Sequence, residues 1–341
     1  MRSDLAEPLG WARSLALVAI ALLGLATIVG SGGGGIAFVP SDCPSNLDCS
    51  APPPTAAVSV QPPYVTALVG APVTYSAETT DASGAVTYQW SRSSDGGSHF
   101  ADIAGATGNT YALAGVNLGD DGAVFRVVAT ASNGIAHAVS HLAVSATPGL
   151  VFEDGEFQPA DWLITPFGDA NAPAPIATDE RQTSGGNPGA FRKMVFRLPA
   201  FALAGRVFYT SLRATYDPPT QGAIYVIDYA EDGISLQENT STSTESAMLL
   251  EQGGRIYIAN VRSAGVDLLP TSWSAVESRS SLSPQDFNLF TGPACPTGES
   301  CPDFSALGRP MRFGYWRISS GVQGDSIAHG IDNWKVTVWR R

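Results

Sequence analysis

Apolar and polar residues alternate along the C-terminal part of the chain with the two-residue period of β-strands. In the last such run, Trp334, Val336 and Val338 share one phase, and polar residues occupy most of the other. Similar runs, separated by turns rich in Gly, Pro and Asp, cover residues 191–199, 206–216, 222–232, 255–263, 311–319 and 334–340. Helical periodicity is nearly absent, and only 282–290 predicts a turn of helix, capped by Ser283. The pattern predicts an all-β, jelly-roll sandwich of about eight strands.

The first and last runs of this region both carry acidic residues beside apolar ones. The first reads LVFEDGEF over residues 150–157 and is followed by Trp162, and the last reads HGIDNWKVTVW over residues 329–339. We expect these two terminal strands to lie close together in one sandwich, a frame common in secreted binding modules.

Residues 56–146 resemble a bacterial immunoglobulin-like domain. The matching segments are 72–78 for strand B, 86–93 for strand C and 109–134 for strand E, the E–F corner and strand F. Val127 stands where such domains often have the second inter-sheet Cys. The resemblance therefore implies a core in which Trp90 packs against Tyr75 and Val127 without a covalent clamp, and a role as spacer or adhesion stalk.

The larger region carries motifs of known jelly rolls. FEDGEF with a following Trp, over 152–162, together with GIDNWKV at 330–336, looks like the galactose-binding-domain-like and related carbohydrate-binding jelly rolls. GGNPGAF at 185–191 is similar to a segment of laminin B-type jelly rolls. The order of these motifs along one region predicts an immunoglobulin-like sandwich followed by a larger jelly roll.

The carbohydrate-binding relatives often hold a structural calcium ion. An acidic residue of the first strand and an Asp before the last strand ligate it, and the matching positions here are Glu153 and Asp332. Carboxylate oxygens are ligands that suit this ion. The alternative is that Asp332 and Asn333 only form the turn into the last strand.

Composition limits the class of protein and the number of domains. The 341 residues exceed one sandwich, and 36 Gly, 24 Pro and 15% charged residues favour turn-rich β structure. A net charge of −12 argues against nucleic acid and against anionic membrane surfaces as partners. We predict a signal peptide over 1–30, a Gly/Pro-rich spacer over 31–55, an immunoglobulin-like domain over 56–146 and a jelly roll over 150–341.

The N-terminus has the features of an export signal. An apolar run over 15–29 ends in small residues and is short for a membrane span, so a cleaved signal is favoured over a retained anchor. IVGSGGGG at 28–35 resembles the cleavage box of bacterial lipoproteins, but Ser31 replaces the Cys that carries the lipid. We therefore expect an exported product, periplasmic, cell-surface or secreted, without stable membrane insertion of the mature chain.

The four cysteines form two local pairs, Cys43 with Cys49 and Cys295 with Cys301, each with five intervening residues. Three pairings are formally possible, and local pairing is favoured because both segments have the composition of loops. A zinc site would need shorter spacing and nearby His residues, so disulfides are the expected state.

Motifs of catalysis are not evident. The chain lacks a Gly-x-Ser-x-Gly elbow, a phosphate-binding glycine loop and a dinucleotide fingerprint. Asp228, Glu231 and Asp232 are close enough in sequence to suggest glycoside hydrolysis, but AEDG at 230–233 favours a turn after the strand over 224–229.

Trp273 is the strongest candidate for a ligand contact. It follows LLPTS in a turn-rich segment without strand alternation, and we predict that it forms a shallow binding face with Tyr315. The alternative is that Trp273 covers the edge of the core. Together these features predict an exported, non-catalytic binding or adhesion protein whose partner is a glycan or a cell-surface component. A polysaccharide-active enzyme and a purely structural envelope protein are the alternatives.

Overall fold

The computed structural model describes residues 55–168, 174–198, 204–236, 243–259, 269–292, 295, 300–320 and 326–340. Within these ranges the chain is almost entirely β-structure and forms a small and a larger sandwich of two sheets each. The predicted all-β fold class is therefore confirmed. The predicted signal peptide, nearly all of the predicted spacer, and Cys43 and Cys49 lie outside the described residues.

The small sandwich has the strand order of an immunoglobulin-like fold. Its strands are β1 (Ala57–Gln61), β2 (Tyr64–Leu68), β3 (Val73–Thr80), β4 (Thr87–Ser93), β5 (Ala101–Asp102), β6 (Thr110–Leu113), β7 (Val124–Ala131) and β8 (Gly134–Ser145). One sheet has the order β1-β3-β6 and the other β2-β8-β7-β4-β5, with β2 parallel to β8. The predicted strands B and C correspond to β3 and β4.

Its core packs as the resemblance implies. Trp90, Tyr75 and Val127 are fully buried in one apolar cluster, and the ring centroids of Trp90 and Tyr75 are 6.1 Å apart. The indole Nε1 of Trp90 donates to the Gly108 carbonyl at 2.9 Å, so its polar atom is satisfied inside the sandwich. Packing and this hydrogen bond hold the two sheets together here, at the position where such domains often have a disulfide.

The larger sandwich contains twelve strands among the described residues. They are β9 (Leu150–Asp154), β10 (Trp162–Phe167), β11 (Ile176–Gly186), β12 (Gly189–Arg197), β13 (Ala204–Tyr216), β14 (Ile224–Ser235), β15 (Ser243–Gln252), β16 (Arg255–Ala259), β17 (Ser274–Leu282), β18 (Phe287–Leu289), β19 (Met311–Ser320) and β20 (Ser326–Arg340). One sheet has the order β10-β13-β19-β15-β16-β18. The other has the order β11-β12-β20-β14-β17, and β9 also pairs with β20.

This order is that of a jelly roll. If β12, β13, β14, β15, β16, β17, β19 and β20 are numbered one to eight, the two sheets read 1-8-3-6 and 2-7-4-5. The predicted proximity of the terminal strands is also confirmed, because β9 pairs antiparallel with β20 and places Asp154 opposite Trp334.

Helical structure is confined to single turns in the described residues. They are α1 (Pro218–Gln221) and the 3-10 turns Leu118–Asp120, Pro159–Asp161 and Pro284–Asp286. The last confirms the helical turn that the sequence predicts after Ser283. The backbone N–H of Ser283 donates to the Asp286 carboxylate at 2.9 Å, which closes this turn.

A bulge interrupts the last strand. Trp334, Val336 and Val338 face the core and are at most 1% exposed, as their alternation predicts. Before the bulge, the inward phase is instead carried by Ile331, which is also fully buried. Asn333 has a φ of +49°, and the pairing of β20 with β14 shifts register beside it, so one extra residue changes the inward phase.

The predicted turn at 230–233 is wrong, because these residues continue β14. Glu231 points into the core, where its carboxylate lies 3.1 Å from the guanidinium of Arg317, and both side chains are fully buried. Asp228 and Asp232 lie on the other face of the strand. The buried ion pair explains why a charged segment forms a strand, and it separates Glu231 from the other two carboxylates.

The two sandwiches are joined through the carboxylate of Asp228. Its Oδ1 accepts from Thr66 Oγ1 in the small sandwich at 2.9 Å and from the Ser281 backbone N–H at 2.7 Å. Its Oδ2 accepts from the indole of Trp339 at 2.7 Å. One side chain therefore connects β2 of the first sandwich to β14, β17 and β20 of the second.

Candidate functional site

The GGNPGAF and GIDNWKV motifs meet in space. The turn between β11 and β12 lies against the bulge of β20, where the Asn187 backbone N–H donates to Asp332 Oδ2 at 2.5 Å. The Asn333 side-chain amide donates in turn to the Asn187 carbonyl. A Cβ on Gly186 would lie 2.6 Å from Asp332 Oδ2, so a residue with a side chain would disturb this contact. Two motifs that are far apart in sequence thus form one local structure.

Asp332 is fully buried at this contact. Its second oxygen accepts from the Asn333 backbone N–H at 2.7 Å. Burial raises the pKa of this carboxyl above its usual value, and the nearby carboxylates of Asp232 and Glu156 raise it further, while the two backbone hydrogen bonds oppose the shift. Asp332 is thus a buried acceptor that holds the turn and the bulge together.

Above this buried contact, Asp232 accepts hydrogen bonds from two amide side chains at the surface. Its Oδ2 accepts from Asn187 Nδ2 at 3.1 Å and from Asn333 Nδ2 at 2.7 Å. Asn187 and Asn333 are both exposed, whereas Asp232 is half-buried. The result is a fixed set of amide and carboxylate groups at the surface.

Trp273 lies beside the same turn and is held in place from two sides. Its indole Nε1 donates to the Gly185 carbonyl at 2.7 Å, and its ring meets Phe191 edge to face with centroids 5.2 Å apart. A Cβ on Gly330 would lie 3.0 Å from Trp273 Cη2, 3.1 Å from Phe191 and 2.8 Å from Ile234. Glycine at 330 therefore leaves space for the indole to lie against the sheet.

We call this arrangement the Trp273 platform: Trp273, Phe191 and Gly330, with the polar groups of Asn187, Asp232 and Asn333. Trp273 is half-exposed, so part of its ring remains open to solvent. The sequence predicts Trp273 as a ligand contact and singles out the motifs that contain Asn187, Gly330 and Asn333. It does not predict that these motifs lie next to the indole. Only the register of β20 against β12 and β14 brings them together.

Tyr315, the second predicted ligand contact, is in the core. It is fully buried, stacks on Tyr209 with centroids 4.7 Å apart, and its hydroxyl lies 3.3 Å from Arg192. Burial raises its pKa to about 12, against the lowering effect of the Arg192 and Arg317 guanidiniums. Tyr315 therefore does not contribute to a surface binding face. The inward-facing positions of β19 include Arg317 and Ser319. Because these residues are polar, the apolar pattern of the sequence does not identify the inward face.

The two predicted calcium ligands are separated along the strand direction of the sheet. Glu153 is exposed and pairs in register with Lys335, whereas Asp332 is buried three residues further along β20. Three residues of a strand span about 10 Å. The acidic side chains that raise the pKa of Asp332 are instead those of Asp232 and Glu156. Among the described residues no group of three or more Asp, Glu, His or Cys side chains is arranged to hold a metal ion.

One predicted disulfide is present. Cys295 and Cys301 are bonded, with their Cα atoms 5.1 Å apart, as local pairing predicts. The bridge closes a short loop next to β18. The predicted partner bridge between Cys43 and Cys49 lies outside the described residues.

Comparisons with known proteins find local similarity only. No family model and no curated protein sequence matches the chain. The N-terminal four Ig domains of Dscam1 isoform 4.44 are 17% identical over 27% of this chain and 21% of theirs, with a TM-score of 0.23. The N-terminal eight Ig domains of DSCAM isoform 1.30.30 are 11% identical over 66% of this chain and 36% of theirs, also with a TM-score of 0.23.

The chain therefore spans about a fifth to a third of the length of those structures. Scores this low carry no argument about function, and the immunoglobulin-like assignment rests on the strand order of the small sandwich. In the part of the chain that the structure describes, no helix is both long and apolar enough to cross a bilayer.

Proposed function

We propose that this chain is an exported binding protein whose jelly roll binds a glycan at the Trp273 platform. The observation that carries the proposal is the indole of Trp273, which is half-exposed and yet fixed by its bond to the Gly185 carbonyl and its contact with Phe191. A side chain held in one orientation before binding loses little conformational freedom when a ligand arrives.

The chemistry around the indole suits a sugar. A flat aromatic face packs against sugar C–H groups, while amides and carboxylates exchange hydrogen bonds with sugar hydroxyls. Asn187, Asn333 and Asp232 supply such groups at the turn whose Gly185 carbonyl binds the indole. The small sandwich would then act as a spacer that carries the binding domain.

Export is supported by two features. The signal-like N-terminal sequence precedes the described residues, and the bond between Cys295 and Cys301 is typical of proteins that mature in oxidising compartments. We place the mature protein in the periplasm, on the cell surface or in the medium.

Binding without hydrolysis is favoured over a polysaccharide-active enzyme. Glycosidases need two carboxyl groups that both reach the scissile bond. Here Asp332 and Glu231 are fully buried, and Glu231 is engaged with Arg317. The half-exposed carboxylate at the platform is that of Asp232, which accepts hydrogen bonds from two side-chain amides. These bonds favour its ionised form, so it is not suited to act as a general acid.

The test is a glycan array probed with the mature chain, followed by calorimetric titration of the neutral oligosaccharides that bind. Replacing Trp273 with Ala should weaken binding by roughly tenfold or more, because truncation of an aromatic anchor at the centre of a binding surface costs about 2 kcal/mol or more. Incubation of each bound glycan with the wild-type chain should leave its length unchanged by chromatography.

The matched control is Trp339→Ala. Trp339 is also half-buried and also donates its indole N–H, to Asp228 at 2.7 Å, but it lies outside the platform. Both variants should lose some thermal stability, and only Trp273→Ala should lose binding. Equal affinity of Trp273→Ala and wild type for every bound glycan would contradict the proposal.

A further inference from the structure

A second concavity lies where the turn between β15 and β16 faces the loop after the disulfide. It has a volume of about 570 Å³ and is lined by Gln252, Gly253, Arg255, Tyr257, Cys301, Asp303, Leu307 and Arg309. We call it the two-arginine cleft. Its volume falls within the range of about 300–1,000 Å³ that is typical of small-molecule sites. It shares no residue with the Trp273 platform.

Buried Gln252 fixes the two walls of the cleft to each other. Its Nε2 donates to the carbonyls of Asp303 and Arg309, both at 2.9 Å, and its Oε1 accepts from the Asp303 backbone N–H at 2.8 Å. The Phe304 side chain, which is 5% exposed, anchors the same loop in the core. The cleft is therefore formed before any ligand binds, which reduces the entropy lost on binding.

Two arginines line this cleft. Arg309 crosses the turn closely enough that a Cβ on Gly253, whose φ is +60°, would lie 2.9 Å from its Cδ. Arg255 follows the same turn as the first residue of β16, and both arginines are exposed. Among the described residues of the lining, Asp303 is the acidic one, and its Oδ1 accepts from the Ser305 backbone N–H at 2.9 Å.

Among the described residues that line the cleft, basic side chains outnumber acidic ones, unlike in the chain as a whole. The chain has a net charge of −12, whereas the cleft lining contains two Arg and one Asp. A concave surface with excess positive charge attracts anions, and the planar guanidinium matches a carboxylate with two parallel hydrogen bonds.

Apolar groups complete the cleft. Tyr257 is 3% exposed, and Leu307, at 89% exposure, is an open aliphatic side chain in the lining. A ligand that has both a carboxylate and a compact C–H surface would use both kinds of group. Sugars that carry a carboxylate on the ring, the uronic acids, have this combination.

We infer that the two-arginine cleft binds the carboxylate of an acidic saccharide of the uronic-acid class. The inference rests on the proposal that the jelly roll binds glycans, but it assigns the acidic sugar to a site separate from the Trp273 platform. Arg309 and Arg255 hold the carboxylate, and Leu307 contacts the C–H face of the sugar.

The test compares trigalacturonic acid with its methyl ester by calorimetric titration of the mature chain at low salt. The acid should bind, and the ester, which has the same ring without the charge, should bind roughly tenfold more weakly because a charge-assisted hydrogen bond is lost. Arg309→Gln and Arg255→Gln should each weaken binding of the acid by roughly tenfold, and Arg309→Lys by less.

Arg213→Gln is the matched control, because it removes the same charge from a side chain that is 76% exposed and ion-paired with Asp161 elsewhere on the jelly roll. It should leave binding unchanged. Thermal melts should show that all these surface variants fold.

Equal binding of the acid and the ester, no binding of the acid, or wild-type affinity of Arg309→Gln would each overturn the inference. The proposed function is tested separately by neutral glycans and Trp273→Ala. If neutral glycans bind through Trp273 while the arginine variants have no effect, the inference fails and the proposed function stands. If uronate binding needs Arg309 while no neutral glycan binds, the inference stands and the platform proposal fails.

Discussion

His329 is buried in the jelly-roll core, and neither of its ring nitrogens has a hydrogen-bond partner among the described residues. Its ring meets Phe196 edge to face with centroids 4.9 Å apart. Burial lowers its pKa well below the usual value, and the positive charge of Arg317 lowers it further. The imidazole is therefore neutral in the folded protein and functions as a flat packing group.

The lowered pKa of His329 makes the free energy of unfolding depend on pH. Because the folded-state pKa is lower than the unfolded one, near 6.5, the unfolded chain binds the proton first as pH falls. The contribution of neutral His329 is complete above about pH 6.5, and it is lost at up to about 1.4 kcal/mol per pH unit as pH falls toward the folded-state pKa. The pKa values of the Asp228 and Asp332 carboxyls are raised, so their protonation increases the free energy of unfolding as pH falls. Because this opposes the effect of His329, the His329 contribution must be measured as a difference between variants.

We predict that His329→Phe is more stable than wild type at pH 5.5 by a margin that shrinks at pH 7.5. Phenylalanine keeps a ring against Phe196 and loses no hydrogen bond to a described residue. Urea unfolding at several pH values measures the difference, and exposed His137→Gln should follow the wild-type profile. Parallel profiles for His329→Phe and wild type would contradict the assigned pKa shift.

At the scale of elements, the sequence predicts strands well where one face is apolar throughout. In β20 the inward phase of Trp334, Val336 and Val338 is correct, because their neighbours alternate cleanly with them. The prediction of the inward face fails where the core contains polar residues. The inward positions of β19 run from Phe313 through Tyr315 to Arg317, so simple alternation of apolar residues placed Tyr315 on the surface.

Strand β15 is not among the runs that the alternation singles out, for a related reason. Its residues Thr244 and Ser246 are buried, and Ser246 donates to Glu231 and accepts from Arg317 inside the sandwich. A polar network that is satisfied internally has no signature in hydrophobicity. The Trp273 platform could not be predicted either, since its parts come from turns whose proximity depends on strand register and on the bulge at Asn333.

The calcium ion that the sequence suggests remains a proposal. Of its two predicted ligands only Asp332 lies at the bulge, and among the described residues no group of three Asp, Glu, His or Cys side chains surrounds a cation there. Burial raises the pKa of Asp332, and the carboxylates of Asp232 and Glu156 raise it further, so a cation bound to the Asp332 carboxylate would lower that pKa. We predict that a chelator lowers the melting temperature of the wild type by several degrees but not that of Asp332→Asn. At a hundredfold excess over Kd the ion would contribute about 2.7 kcal/mol.

Glu153→Gln separates the two predicted ligands. Glu153 is exposed and lies opposite Lys335, so its replacement should leave the chelator effect intact. Differential scanning calorimetry with EDTA and with added calcium provides the measurement. Identical melting of the wild type under both conditions would rule out the ion.

For the whole molecule, the question is whether the small sandwich holds the jelly roll in one orientation. Asp228 suggests that it does, because its carboxylate accepts one hydrogen bond from Thr66 across the interface and two from its own sandwich. Burial raises the pKa of Asp228, and the three donors oppose that shift. Ser145 Oγ also donates to the Arg340 carbonyl at 3.1 Å, so contacts cross the interface at a second point.

We predict that Thr66→Val loosens this interface without unfolding either sandwich. The change keeps the shape of the side chain and removes one bond to Asp228 and one contact with Ser281 Oγ, at 2.9 and 2.8 Å. A hydrogen bond to a charged group contributes about 1.5–3 kcal/mol. Relative motion of two domains is expected unless their interface is large and apolar. The Ser281 and Trp339 donors remain, so Asp228 is not left unpaired.

Small-angle X-ray scattering and NMR relaxation of the mature chain measure the expected change. In Thr66→Val the two sandwiches should tumble more independently, and the radius of gyration should increase. Thr79→Val is the control, since Thr79 Oγ1 bonds to the Tyr88 hydroxyl within the small sandwich at 3.2 Å. If Thr66→Val keeps wild-type relaxation and scattering, the Asp228 contact does not fix the orientation, and the small sandwich acts as a hinged rather than a rigid spacer for the binding domain.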